Sequence, residues 1–307
     1  MSRTAPIAAI VLLVTACAAP GHTVRVPLGD GERHIYWADD TLDWTVSRQD
    51  PIDHTATIGG ANLDGSGMSP SVIIGLDDPC GLAVDARYVY WANRNGNTIG
   101  RAKLDGSAVD NRFVTLASAP CGVAVDDGHI YWANRGVVVR GTTIGRAGLD
   151  GFGVDQSFIG GALNPCGVAV DSGHVYWISE AAPGSSGGTI GRANLDGSAA
   201  DNEFVQTDAA LPCGVAVNAT YIYWAGGSND AIGRATIAGT SIENRFIQGA
   251  NWPCGVAVDG AHVYWGNSNA AAAAAAPSIG RADLDGRNVL QAFIVGMLGV
   301  CGVALDP

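Results

Sequence analysis

Seven cysteines are the residues of this 307-residue chain whose type and spacing offer the most chemistry. Six of them begin a repeated Cys-Gly motif: Cys80, Cys121, Cys166, Cys213, Cys254 and Cys301. An even number of cysteines in an exported protein predicts disulfides. The alternatives are buried thiols that pack as small apolar side chains, and a ring of thiolates that binds copper or zinc. Closely spaced Cys-x-x-Cys pairs are missing, which favours the two structural alternatives over the metal.

An acidic segment after the first Tyr-Trp pair is the second candidate site. Its members are Asp39, Asp40, Asp43, Trp44, Arg48, Asp50, Asp53 and His54. Carboxylates suit calcium because hard cations take oxygen ligands, but this spacing matches no loop motif of fixed geometry. We therefore predict no metal here. We interpret the segment as a solvated binding loop in which Trp44 is the contact anchor.

An internal repeat defines the elements that position these residues. Tyr-Trp pairs begin at Tyr36, Tyr90, Tyr131, Tyr176, Tyr223 and Tyr264, and each of the last five pairs lies ten residues after a Cys-Gly motif. Each pair is followed by a segment such as TIGRAKLDG and then by an apolar stretch, which in most copies contains Phe. Asp-Gly pairs in these segments suit tight hairpin turns. Four short β-type stretches per unit predict one propeller blade.

The two ends of the repeat complement each other. Tyr36 has no Cys-Gly motif before it, and Cys301 has no Tyr-Trp pair after it. We therefore predict an all-β, six-bladed propeller of four-stranded antiparallel blades over residues 23–307, in which Cys301–Asp306 supplies the inner strand of the first blade. Symmetry then limits disulfides to neighbouring blades, in one of two alternating sets of three. They can form only if the inner strands come within about 7 Å between Cα atoms.

The repeated units resemble a known family. YWADD, YWANR and TIGRANLDG, with the inner strand Gly-Val-Ala-Val-Asp, are similar to the YWTD repeats of the low-density lipoprotein receptor propellers and their bacterial relatives. The resemblance extends over all six blades. It implies a six-bladed fold and a rigid platform for protein contact, and it supplies no catalytic residues. The third and fourth positions of the motif differ here, as in Ala225-Gly226, so the receptors' particular ligands are not implied.

Variation in length is concentrated in one connection of each blade. Cys and Tyr are always ten residues apart, whereas the segment between the second and third strands differs from copy to copy, with low-complexity insertions at 181–188 and 270–276. In an up-and-down blade this connection emerges on the same face as the start of the inner strand, where the cysteines lie. Loops on a rigid scaffold are the usual place for binding. This face is therefore the predicted binding surface.

Residues 1–17 are typical of a bacterial lipoprotein signal. A basic start at Arg3 precedes the apolar run 7–14 and a lipobox, Val14-Thr15-Ala16-Cys17. We predict a signal peptide over 1–17 with lipid attached to Cys17, and a short tether over 18–22. An ordinary cleaved signal is the alternative. The predicted location is the cell envelope, on the periplasmic side of the outer membrane if the organism is Gram-negative, with the lipid as the one membrane contact.

Composition and symmetry together predict the class of function. A net charge of −12 disfavours nucleic acid. An active site in a ring needs unmatched acids or histidines at the channel mouth, whereas the inner strands here are almost identical. We therefore predict a monomeric, non-enzymatic scaffold without a cofactor that binds a protein or a small extracellular ligand. The alternatives are a lactonase-like or lyase-like hydrolase with a metal at the channel mouth, and a soft-metal or redox sensor that uses the six cysteines.

Overall fold

The computed structural model describes residues 33–39, 56–136, 141–268, 276–297 and 299–307. Among these residues the regular structure is almost entirely β, with one 3-10 turn at Gly227–Asn229. No helix in these ranges is long and apolar enough to cross a membrane. In chain order the strands are β1 (His34–Asp39), β2 (Ala56–Asn62), β3 (Ser69–Leu76), β4 (Pro79–Val84), β5 (Tyr88–Asn93), β6 (Thr98–Lys103), β7 (Asp110–Thr115), β8 (Pro120–Val125), β9 (His129–Asn134), β10 (Thr143–Gly148), β11 (Asp155–Gly160), β12 (Pro165–Val170), β13 (His174–Ser179), β14 (Thr189–Asn194), β15 (Asp201–Gln206), β16 (Pro212–Val217), β17 (Tyr221–Gly226), β18 (Ala231–Thr236), β19 (Glu243–Gln248), β20 (Pro253–Val258), β21 (His262–Asn267), β22 (Ser278–Asp283), β23 (Leu290–Val295) and β24 (Val303–Leu305).

These strands form six four-stranded antiparallel blades around a central channel. Blade 1 has the strand order β24-β1-β2-β3, and blades 2 to 6 are β4–β7, β8–β11, β12–β15, β16–β19 and β20–β23. The strand that contains each Cys-Gly motif, or in blade 1 the strand β24 that follows it, lines the channel. The predicted all-β six-bladed propeller is confirmed.

The C-terminal strand closes the ring in the predicted way. β24 pairs with β1 through the register Ile35↔Leu305, Tyr36↔Ala304 and Trp37↔Val303. A buried side-chain contact continues this pairing, because Asp306 Oδ1 accepts a hydrogen bond from the His34 backbone N–H at 2.6 Å. Asp306 Oδ2 lies 2.8 Å from His34 Nδ1. The closing strand is therefore short, and polar contacts at its end reinforce it.

The hydrophobic cores lie between neighbouring blades. Tyr90 of blade 2 shares a core with Trp132 of blade 3, whereas Trp91 shares one with Tyr36 of blade 1. The two aromatic residues of each pair therefore face opposite neighbours. Each tryptophan also lies on a glycine of the third strand; a Cβ at Gly100 would lie 2.3 Å from Cε2 of Trp91. This close approach explains why Ile-Gly recurs in every blade.

The fourth position of the Tyr-Trp motif braces the loops in some blades. In blade 2 the Asn93 side chain accepts a hydrogen bond from Nε1 of Trp91 at 3.0 Å, and it donates to Oγ1 of Thr98 at 3.0 Å and to the Asn111 carbonyl at 3.1 Å. Blade 4 has Ser179 at this position. Its buried hydroxyl has no hydrogen-bond partner among the described residues. The residue at this position therefore changes the side-chain hydrogen bonding from blade to blade.

We expect Asn93→Ala to lower the free energy of unfolding by about 2 to 3 kcal/mol, because it leaves the buried indole N–H of Trp91 without its acceptor and Thr98 Oγ1 without its donor. Ser179→Ala is the matched control at the same repeat position, and its effect should stay below about 0.5 kcal/mol. Denaturant unfolding of both variants measures the difference. Equal losses in the two variants would show that the brace contributes nothing beyond packing.

Candidate binding face and cysteine ring

Strand pairing determines which connections share a face of the disc. In blade 2, Pro79 at the start of the inner strand pairs with Asn93 at the end of β5, which in turn pairs with Thr98 at the start of β6. The connections between second and third strands, and those between successive blades, therefore emerge beside the cysteines. We call this side the loop face. The opposite side carries the remaining hairpin turns, and we call it the turn face.

The glycine after each cysteine allows neighbouring inner strands to approach closely. A Cβ at Gly81 would lie 2.3 Å from the Cys121 carbonyl oxygen, and one at Gly122 would lie 2.5 Å from that of Cys166. The same contact recurs around the ring, at 2.4 to 2.7 Å, for Gly167, Gly214, Gly255 and Gly302. Any side chain at these positions would push the blades apart. The glycines therefore set the narrow diameter of the channel at the loop face.

This narrow ring brings the cysteines within bonding reach. Disulfides join Cys80 to Cys121 and Cys166 to Cys213, with Cα–Cα distances of 5.1 and 5.2 Å. Both bridges link neighbouring blades and belong to one of the two alternating sets that symmetry allowed. Sγ of Cys121, Cys166 and Cys213 lie within 4.8 Å of one another, a spacing that suits a thiophilic metal. Because all three are in disulfides, they present no thiolates as ligands.

The channel itself offers little catalytic chemistry. One cavity of about 50 Å³ is lined by the Cys-Gly motifs and the Val or Leu that follows each of them. Another of about 190 Å³ is lined by Ala, Val and Leu farther along the inner strands. Both are smaller than the roughly 300 Å³ at which ligand pockets begin. Apart from cysteine, these lining side chains include no acid, base or nucleophile.

The acidic segment predicted as a binding loop lies almost wholly outside the described residues. Asp39 ends β1 and is buried, at 3% exposure. The other members, Asp40, Asp43, Trp44, Arg48, Asp50, Asp53 and His54, fall outside the described ranges, as does Cys17. Their predicted roles therefore stay predictions.

No protein-family model matches the sequence, and no curated protein matches it. Solved structures share its fold. A chain of a nidogen/laminin complex gives a TM-score of 0.70 at 20% identity, over 89% of this chain and 98% of that one. A gluconolactonase from Xanthomonas campestris gives 0.57 at 16% identity, over 76% and 81%. A streptogramin B lyase gives 0.53 at 17% identity, over 80% and 79%. These similarities show the propeller fold, which occurs in a protein complex and in enzymes alike.

The repeat breaks on the loop face at the position two residues before each cysteine. The residues there include Asp78, Ala119, Asn164, Leu211 and Trp252. The backbone is left-handed at Asp78, Ala119, Asn164 and Trp252, with φ of 57°, 43°, 51° and 48°. Asn and Asp tolerate this conformation, whereas it strains a bulky side chain, and such strain is concentrated at functional sites. Trp252 was not among the residues predicted from the sequence, although it is a tryptophan without a counterpart at this position in the other copies.

Blades 2 to 4 form a charged half of the loop face. Arg94 holds Asp78 with two hydrogen bonds, from Nε to Oδ2 at 2.8 Å and from Nη2 to Oδ1 at 3.2 Å. Glu180 of blade 4 contacts Arg135 of blade 3 through one carboxylate oxygen and the Asn164 side chain through the other. These contacts order the connections of three consecutive blades.

Blades 5 and 6 contribute two large apolar side chains to the loop face, Leu211 and Trp252. Leu211 is 46% exposed in the connection that leads into blade 5. Trp252 is half-buried, and its backbone N–H donates to Oδ1 of Asp230 at 3.0 Å. Its indole lies over Gly227, where a Cβ would stand 3.7 Å from Nε1. The loop face therefore presents polar and apolar areas side by side, which is the character of a protein-binding surface.

Proposed function

We propose that this chain is an exported, non-enzymatic binding protein that contacts a protein through the loop face. The proposal rests on one observation: the core residues repeat from blade to blade, whereas the residues of the loop face do not. The Tyr-Trp pairs and Cys-Gly motifs that build the core recur in blade after blade. On the loop face, by contrast, Asp78, Leu211 and Trp252 replace one another two residues before the cysteine, and Arg135 and Glu180 replace one another directly after the second strand.

The character of this face supports a protein rather than a small molecule as the ligand. A strained, half-buried Trp252 beside an exposed Leu211 is the type of anchor that dominates protein interfaces. The channel cavities are too small to hold a typical small-molecule ligand. A structural neighbour from a complex of nidogen with laminin is consistent with protein contact on this fold.

Export is part of the same proposal. Disulfides between blades form in oxidising compartments, outside the cytosol. The signal-like residues 1–17 and lipid attachment at Cys17 would then place the propeller at the cell envelope. Lactonase-like or lyase-like chemistry is the less favoured alternative, because the described channel lining offers no acid or base.

The test compares two faces of the same molecule. We expect the double variant Leu211→Asn and Trp252→Asn to reduce recovery of specific envelope proteins at least tenfold when the purified propeller is used as bait with envelope extracts of the source organism. Asn is the residue at the equivalent position of blade 4, where it adopts φ of 51°. The backbone should therefore be preserved, and the melting temperature should change by less than about 3 °C.

The matched control is Phe152→Ser on the turn face. Phe152 is 76% exposed in a hairpin turn where blades 2 and 4 have Ser107 and Ser198. Phe152 is also apolar and exposed, but it lies on the turn face, so its loss should leave the recovery of envelope proteins unchanged. Recovery that falls in the control and not in the loop-face variant would contradict the proposal. Turnover of a lactone by the purified chain, abolished by a substitution at the channel mouth, would replace it with the enzyme alternative.

A further inference from the structure

The six cysteine sulfurs form a continuous ring with two bonded and four non-bonded neighbour contacts. The non-bonded Sγ–Sγ distances are 3.3 Å for Cys121 and Cys166, 3.6 Å for Cys213 and Cys254, 2.9 Å for Cys254 and Cys301, and 3.5 Å for Cys301 and Cys80. The shortest of them joins Cys254 and Cys301. This pair is also the third member of the alternating set to which the two disulfides belong.

The pair spans the boundary at which the ring closes. Cys254 lies in β20 of blade 6, whereas Cys301 precedes β24, the inner strand of blade 1. β24 has three residues, and backbone hydrogen bonds of Cys301 and Gly302 with Ala38, and of Asp306 with His34, extend its pairing with β1 at either end. The backbones approach here nearly as closely as at the other boundaries, since a Cβ at Gly255 would lie 2.7 Å from the Cys301 carbonyl oxygen, against 2.3 to 2.6 Å elsewhere. A covalent bond at this boundary would tie the last complete blade to the closing strand.

We propose that Cys254 and Cys301 form a third interblade disulfide, which locks the propeller ring in the exported protein. Each thiol loses a proton, the two sulfurs bond, and two electrons pass to the oxidant. That oxidant is a disulfide: an oxidised thiol oxidoreductase in the compartment, or glutathione disulfide in the test tube, which is reduced to two glutathione thiols. Cys213, the other ring neighbour of Cys254, is bonded to Cys166, whereas the Cys301 sulfur lies 2.9 Å from that of Cys254.

The positions of the arginines allow the disulfide pairing to be determined by tryptic digestion. Cleavage after Arg and Lys places the six cysteines on six separate peptides, of which residues 246–281 carry Cys254 and residues 288–307 carry Cys301. The full chain, exported or oxidised with glutathione disulfide, is alkylated unreduced, digested and analysed by mass spectrometry. We expect a linked pair of peptides 246–281 and 288–307 that separates on reduction.

Three results, two from the same digest and one from metal analysis of the native protein, would overturn the proposal. Alkylated thiols on both peptides would show that the pair stays reduced. A link between peptides 288–307 and 49–87, which carries Cys80, would indicate the other alternating set. Copper or zinc bound in stoichiometric amount to the native protein, with both cysteines unlinked, would indicate a thiolate metal site instead.

A variant separates the bond from the packing of the sulfurs. We expect the double substitution Cys254→Ala and Cys301→Ala to lower the melting temperature by about 5 to 10 °C in oxidising buffer. In strong reductant the wild type has lost its bridges too, so the two proteins should melt within about 2 °C of each other. A loss of equal size in both buffers would attribute the effect to packing and contradict the disulfide. This outcome is independent of whether the loop face binds a protein.

Discussion

Replacement of Gly122 by Ala is expected to lower the free energy of unfolding by about 3 kcal/mol or more, and to prevent folding if the backbone cannot shift. The added Cβ would lie 2.5 Å from the Cys166 carbonyl oxygen and 2.6 Å from Cα of Gly167. Both atoms belong to the backbone of the next blade. No side-chain rotation relieves the clash, so blades 3 and 4 would have to separate.

Gly260→Ala is the matched control. A Cβ at Gly260 meets nothing within 4 Å, and its backbone does not require the left-handed conformation. Its effect should stay within about 0.5 kcal/mol. Guanidinium unfolding measures both variants, and soluble yield on export serves if Gly122→Ala does not fold. A Gly122→Ala protein within 1 kcal/mol of wild type would mean that backbone contact does not set the width of the ring.

The number of blades and the closure of the ring could be predicted because both follow from the order and spacing of motifs along the chain. Six Tyr-Trp pairs at comparable spacing require six similar units, and each unit is too small to bury its own aromatic residues. The unmatched Tyr36 and Cys301 at opposite ends then allow a single solution, in which the C-terminal strand completes the first blade. β24 pairs with β1 for this reason.

The oxidation state of the cysteines could not be predicted because it depends on the diameter of the ring. That diameter follows from backbone contacts such as the one between Gly81 and Cys121, which join residues 40 apart in the chain. Trp252 was missed for a related reason. Its significance comes from a left-handed backbone and from the neighbouring Gly227, and neither feature is visible in a single residue type. The symmetry of the repeat identifies the residues of the core, whereas a binding surface is made of residues that differ from blade to blade.

The second large effect is expected in alkaline solution, where the propeller should unfold cooperatively within one to two pH units above pH 10. The tyrosines of the six Tyr-Trp pairs are at most 1% exposed: Tyr36, Tyr90, Tyr131, Tyr176, Tyr223 and Tyr264. Burial raises the pKa of every one of these phenols. In Tyr264, burial and the nearby Asp259 carboxylate raise the pKa to about 12. In Tyr90, the hydrogen bond to Asp85 and its charge add to the effect of burial.

The sign of the effect follows from linkage. The folded state binds the phenolic protons more tightly than the unfolded state, in which the pKa is about 10. The stabilisation is therefore complete below pH 10 and is lost as the pH rises through the folded-state values. Each phenol removes up to about 1.4 kcal/mol per pH unit, and six together remove up to about 8. A domain whose free energy of unfolding is about 5 to 15 kcal/mol therefore unfolds within one to two pH units at that slope.

Circular dichroism and the ultraviolet absorbance of tyrosinate, followed together, test this account. Lys103 is the only lysine, so few other side chains titrate in this range. We expect most of the tyrosinate signal to appear with the loss of β structure rather than before it.

Tyr223→Phe is the informative variant. In blade 2 the Tyr90 hydroxyl donates to the Asp85 carboxylate, whereas blade 5 has Asn218 in place of that acid, and the Tyr223 hydroxyl has no hydrogen-bond partner among the described residues. The substitution removes one titrating group without leaving an acid unpaired, so the unfolding transition should move to higher pH and should release about one proton fewer. Gradual ionisation near pH 10 in a molecule that keeps its β structure would show instead that the phenols are open to solvent, and the interblade cores would then be looser than the packing of these tyrosines requires.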